Sequence, residues 1–123
     1  MADPTRAKRA RMACRIYLKL HEAGPAGAPV TKDDALGPGD DPEADFPVAV
    51  EVVARFMDDT ILDEPGHAGG VPHYALTAGM RARMDEGDTL GRLRAALGAG
   101  GSDDDAVRME STVRTGRPDA PGL

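Results

Sequence analysis

The first apolar residues of the chain recur at helical spacing. Met12, Ile16, Leu20 and Ala23 follow one another at intervals of four, four and three, which predicts a helix over 10–23 with one apolar stripe. Arg9, Arg11, Arg15 and Lys19 fall largely off that stripe, and Gly24-Pro25 ends the helix. Ahead of it, residues 1–9, with Arg6 and Lys8, read as a flexible basic arm. After it, Thr31 is placed to cap a second helix, with Asp34 in the reciprocal capping position. Gly37-Pro38-Gly39 holds that helix to little more than a turn, and residues 37–46 form an acidic loop. From Pro47 to about Asp58, Val48, Val52, Val53, Phe56 and Met57 supply a broad apolar face. Glu51, Arg55, Asp58 and Asp59 line the opposite side.

The period then changes. TILDE (60–64) and PHYALT (72–77) are short strand-like runs on either side of a flexible tip, PGHAGGV (65–71). Thr77 is placed to cap a helix whose Met80 and Met84 face the same way and which Gly87 ends. Asp88 caps a last short helix carrying Leu90, Leu93 and Leu97. Those leucines have two readings: they fold back onto the chain's own core, or they form a dimer seam. From Gly98 onward the apolar content is too low to offset an ordering cost of about 1–2 kcal/mol per residue. Residues 98–123 are therefore expected to be a disordered tail. The predicted fold class is α+β, mainly α, with one domain over residues 10–97.

Composition adds two constraints. Aromatic residues make up 3% of the 123 positions and Trp is absent, so the core must be built from Leu, Val, Met and Ala. The formal charge of −6 is unevenly spread: residues 1–24 carry +4 and residues 25–66 carry −9. A small domain of this kind gains stability from dimerisation. The single cysteine, Cys14, rules out an internal disulfide and indicates a reducing compartment. With no signal-like start and no apolar run near the roughly 20 residues of a membrane span, the expectation is a cytoplasmic protein with no membrane partner.

Candidate chemistry is sparse. His67 and His73 lie near Asp63 and Glu64, but their spacing fits no metal-ligand motif. Cys14 and His21 sit about 10 Å apart along a helix axis, too far to chelate together. No nucleophile–base arrangement, phosphate loop or carboxylate pair is present, so no enzyme activity, cofactor or metal is expected.

Several stretches together resemble the winged helix-turn-helix family over roughly residues 10–86. IYLKLHEAG resembles its first helix, and PVTKDDAL resembles the strand and cap entering its second. VEVVARFMDDTILDEPG resembles the third helix running into the first wing strand, and HYALTAGMRARM the second wing strand followed by a capped helix. The resemblance implies a two-stranded wing hairpin, a C-terminal helix and a small, dimeric DNA-binding transcriptional regulator. Double-stranded DNA would then be contacted by Arg6, Lys8, Arg9, Arg11, Arg15, Lys32, Arg55 and His67, with Leu90, Leu93 and Leu97 at the dimer contact. The chain departs from the family's pattern by its acidic insert and by a third helix whose only basic residue is Arg55. It also has no Asn or Gln to read adenine. The alternative expectation is a winged-helix protein-interaction module that presents its acidic segment to a basic partner.

Overall fold

A computed structural model of the chain describes residues 3–37, 39–57, 62–68, 70–98 and 100–116. The first element, α1 (Pro4–Ala23), begins earlier than the apolar stripe predicts. The Asp3 carboxylate accepts hydrogen bonds from the N–H groups of Thr5 (2.7 Å) and Arg6 (3.3 Å), and Pro4 supplies a preset φ at the start. Residues 4–9 are therefore helical rather than a flexible arm; Met1 and Ala2 lie outside the described residues.

Beyond a tight turn at Gly24–Ala26, the short α2 (Lys32–Ala35) starts as expected, with Asp34 Oδ2 accepting the Thr31 N–H at 2.7 Å. Next comes α3 (Phe46–Met57). Strands β1 (Leu62–Ala68) and β2 (Val71–Leu76) pair antiparallel, with Leu62 opposite Leu76 and Ala68 opposite Val71. The ladder therefore runs past Glu64 towards the glycines, and Gly70 at the tip has φ 82°, open to glycine at little cost. The register slips between Asp63 and Gly66, where Pro65 has no N–H to give to the ladder. The expected strand start at residues 60 and 61 lies outside the described residues. Ala28 adds a further pair to β2: its N–H donates to Tyr74 O and Tyr74 N–H donates back to Ala28 O, both at 2.9 Å.

Thr77 leaves β2 and caps α4 (Ala78–Asp85), its Oγ1 accepting the Met80 N–H at 3.3 Å. A short connection leads to α5 (Thr89–Leu97). Leu93 is fully buried, and Leu90 and Leu97 pack against the same cluster. Leu93 thus follows the first of the two readings of these leucines, packing into the chain's own core, while Leu90 and Leu97 are only partly buried there.

The expected disordered tail is the larger correction. Residues 103–115 form α6 (Asp103–Thr115). Ser102 Oγ accepts the Asp105 N–H at 3.1 Å, and Asp105 Oδ2 accepts the Ser102 N–H at 3.2 Å. Three aspartates in the first turn favour the positive end of the helix, and Gly116 closes the other end at φ 74°. Ala106, Met109 and Val113 are buried, and α6 lies along α1. Residues 117–123 lie outside the described residues.

One core joins these elements: Met12, Ile16, Tyr17 and Leu20 of α1, Val52 and Val53 of α3, and Leu76 of β2. It continues through Met80 and Met84 of α4, Leu93 of α5, and Met109 and Val113 of α6. The molecule is thus mainly helical, in the α+β class. A chain ended at Gly101 is expected to lose cooperative unfolding. Met109 and Val113 alone contribute about 1.5–3 kcal/mol each, against a total of about 5–15 kcal/mol for a domain. Circular dichroism during urea denaturation of the truncated chain measures this; an unchanged midpoint would restore the disordered-tail reading.

Candidate functional site

At about 100° per residue, Lys8, Arg11, Arg15 and Lys19 fall within about 80° of arc on α1. Acidic residues from other parts of the chain cover that arc. Lys8 Nζ lies 2.5 Å from Asp45, Arg11 2.7 Å from Asp103, Arg15 2.8 Å from Asp40 and Lys19 2.5 Å from Asp34. Arg9, to one side, reaches Glu51 of α3 at 2.9 Å. Five of the six basic residues of α1 are therefore matched by carboxylates. Arg6, the sixth, is half-buried near the helix start.

The most enclosed of these pairs is Arg15 with Asp40. Arg15 Nη1 donates to Asp40 Oδ2 and to Ala35 O, both at 2.8 Å, and Gly37 N–H donates to the same Asp40 oxygen at 2.8 Å. A side chain at position 37 would stand 2.4 Å from the guanidinium carbon, so glycine lets the loop close over it. The acidic insert is thus docked on α1. The Lys8 ammonium holds the Asp45 carboxyl below the usual carboxylate range, helped by the Asp41 N–H. Burial pushes the Asp34 carboxyl up, but Lys19 and the Thr31 N–H outweigh it and leave it below its ordinary value.

A buried polar cluster holds α6 to α1. Glu110 has no exposed surface, and its Oε1 accepts from Tyr17 OH (3.1 Å) and from Arg114 Nε (2.9 Å). Its Oε2 has no hydrogen-bond partner among the described residues. Burial raises the Glu110 carboxyl above its ordinary value of 4.5, and Arg114 and Tyr17 offset only part of that. Burial first, and Glu110 second, push the hydroxyl of Tyr17 and the thiol of Cys14 well up, so neither ionises readily. Arg83 of α4 donates to Arg114 O (2.7 Å) at the end of α6, and His21 Nε2 lies 2.6 Å from Asp85.

The remaining candidates sit on the α2–α3 side. On α3 the exposed arc carries Phe46, Pro47, Val50 and Ala54 on one half and Glu51 and Arg55 on the other. Phe46 is 41% and Val50 37% exposed, high for large apolar side chains. Lys32 Nζ stands 4.6 Å from the centre of the Phe46 ring. Between them runs a groove of about 490 Å³ lined by Val30, Thr31, Lys32, Asp33, Phe46 and Val53. His67 lies in β1, and its side chain is outside the described residues. The structure therefore places Lys32 beside Phe46, leaves Arg55 on the other half of the exposed arc of α3, and ties Lys8, Arg9, Arg11 and Arg15 into the fold. Sequence reasoning missed the exposed apolar stripe because it placed Val48, Val52 and Val53 inwards without asking where Phe46 and Val50 would point.

Among the described residues no cluster of His, Cys, Asp and Glu is arranged to hold a metal, and no helix is long and apolar enough to cross a membrane. The chain matches no known protein-family model, no curated protein and no solved structure.

Two measurements follow from this geometry. Arg15→Ala is expected to lower stability by about 2 kcal/mol, because a charge-assisted, half-buried bond network loses its donor. Arg9→Ala, at a surface pair, is expected to cost about 0–1 kcal/mol. Urea denaturation of both variants at one salt concentration compares them, and equal losses would remove the special place given to Arg15. The Glu110 carboxyl, raised in the folded state, stabilises fully below 4.5, and that contribution is lost as pH rises through its folded value. Glu110→Gln is therefore expected to be more stable than the parent at neutral pH, with the advantage vanishing on acidification. Parallel stability–pH curves for the two proteins would refute this.

Proposed function

We propose that the chain is a winged-helix module that works by docking a partner protein on its third helix. Three features support the winged-helix part. The element order follows the family resemblance. An extended segment at Ala28, between α1 and α2, pairs with β2. Thr77 passes directly from that strand into a capped helix. The docking part is carried by one observation: the exposed face of α3 is apolar along Phe46, Val50 and Ala54.

Half of the exposed arc of α3 is thus occupied by side chains that offer no hydrogen bonds to base edges. The same stripe suits apolar anchors of a partner segment laid along about 12 Å of helix, at about 1.5 Å per residue. Glu51 is matched by Arg9, so Lys32, which stands over the Phe46 ring, sets the charge that the partner must meet at that end of the stripe. The fitting occupant is an apolar segment carrying carboxylates. This departs from the acidic-surface expectation, because Asp40 and Asp45 are engaged with Arg15 and Lys8. DNA binding is the competing reading, and it retains Lys32 and Arg55.

The test replaces Val50 by a photo-crosslinking amino acid in the native cell, with fragments identified by mass spectrometry, alongside duplex-DNA titration of the purified protein. The expected crosslink is to one protein segment of apolar and acidic character, lost when Phe46→Asp is added. Because Phe46 is more than half buried, circular dichroism of the Phe46→Asp chain checks that it remains folded before the crosslink is compared. Crosslinking to a second copy of the chain only would overturn the proposal. So would low-salt duplex binding that Lys32→Ala with Arg55→Ala abolishes and Phe46→Asp leaves intact.

A further inference from the structure

We propose that the groove between α5 and α6 binds a small organic anion with an apolar body. The groove is open to solvent and offers about 530 Å³, within the range of small-molecule sites, on a different part of the molecule from the α3 stripe. Its lining combines two kinds of surface that such a ligand needs. Arg92 of α5 and Arg108 of α6 place guanidinium groups on facing helices. Neither arginine takes part in the ion pairs that tie α1 to the acidic loop. Between them lie Ala95, Ala96 and Met109, with Ala96 and Met109 buried, so the space below the guanidiniums is apolar.

The third wall is backbone. Gly98, Gly100 and Gly101 line it, and a side chain at 101 would stand 2.2 Å from Ala96 O. The loop must therefore cross close over the end of α5, which leaves the space beside it unfilled by side chains. Asp105 also lines the groove, but its Oδ2 accepts the Ser102 N–H at 3.2 Å as part of the α6 cap. Two arginines and one engaged carboxylate leave the site net cationic. A planar carboxylate suits guanidinium forks, and an aryl or short alkyl body suits the Ala–Met floor. A strongly hydrated anion without such a body would gain from the arginines alone.

Benzoate is the probe, and the full chain is titrated by calorimetry and by thermal unfolding. The expected result is saturable binding with Kd of about 1 mM or tighter. Acetate at equal ionic strength is expected to bind at least about tenfold more weakly, the loss of about 1.4 kcal/mol that a missing apolar contact brings. Ala95→Phe, an exposed position facing the groove, is expected to abolish binding while leaving the unliganded melting temperature in place. Arg92→Gln with Arg108→Gln is expected to weaken it by about tenfold or more. Benzoate binding that survives Ala95→Phe would overturn the site. Inorganic phosphate binding as tightly as benzoate would overturn the ligand class, and no saturable benzoate binding would overturn the proposal as a whole.

Discussion

Helix α1 is charged on one side and apolar around most of the rest, and both surfaces have to be covered at once. Its apolar residues face α3, α5, α6 and β2, while Lys8, Arg11, Arg15 and Lys19 form the other side. A helix placed this way cannot leave its basic row in water without giving up contacts on the flanking elements. The acidic residues that meet the row come from three separate places, α2, the loop before α3 and the first turn of α6, and Arg9 beside the row is met from α3. Four carboxylates of the −9 segment are thereby matched by the basic opening segment inside the molecule. Each pair at the surface contributes little alone. Arg15 is different because its guanidinium also satisfies a backbone carbonyl and sits under a glycine-bearing loop.

That arrangement explains which parts of the fold were legible in the residue pattern. Elements with their own apolar period and their own caps were readable: α1 from Met12, Ile16 and Leu20, α2 from Thr31 and Asp34, α4 from Thr77, Met80 and Met84. The start of α1 was not, since its first residues carry charge and only the Asp3–Pro4 cap marks them. α6 was missed for a related reason. Its buried face reads Ala106, Met109, Glu110 and Val113, so a charged residue interrupts the apolar stripe, and three aspartates precede it. The Ser102–Asp105 box and the spacing of Ala106, Met109 and Val113 were the signals available. Whether such a short stripe orders depends on a long-range partner, and that partner is α1.

Glu110 shows what the long-range partner does. A fully buried carboxylate with one unpaired oxygen is costly, yet its other oxygen joins Tyr17 on α1 to Arg114 on α6. Arg83 then supplies donors to the last carbonyls of α6, and Arg11 reaches Asp103 in its first turn. The helix is thus gripped by polar contacts at its start, middle and end, over a modest apolar area. Polar residues that look like tail composition in isolation are, in place, the fastening of α6. The two surfaces assigned above were illegible for the same reason. Nothing local in the chain says that Phe46 and Val50 stay outside, or that Arg92 and Arg108 border one groove.

The same internal matching of charge bears on nucleic-acid binding. Affinity for a duplex arises largely because protein cations replace condensed counterions on phosphate. A cation already matched by a carboxylate gives little of that gain. A phosphate approaching Lys8, Arg11, Arg15 or Lys19 has to displace Asp45, Asp103, Asp40 or Asp34, and the freed carboxylate then repels it. The exchange swaps one charge-assisted contact for another and, at Arg15, also costs the loop its anchor. Duplex binding through α1 would therefore have to disturb the fold, whereas docking on the α3 stripe leaves every one of these pairs in place. The basic row of α1 is thus engaged within the fold, Lys8 and Arg15 under the acidic loop, Lys19 on α2 and Arg11 on the first turn of α6.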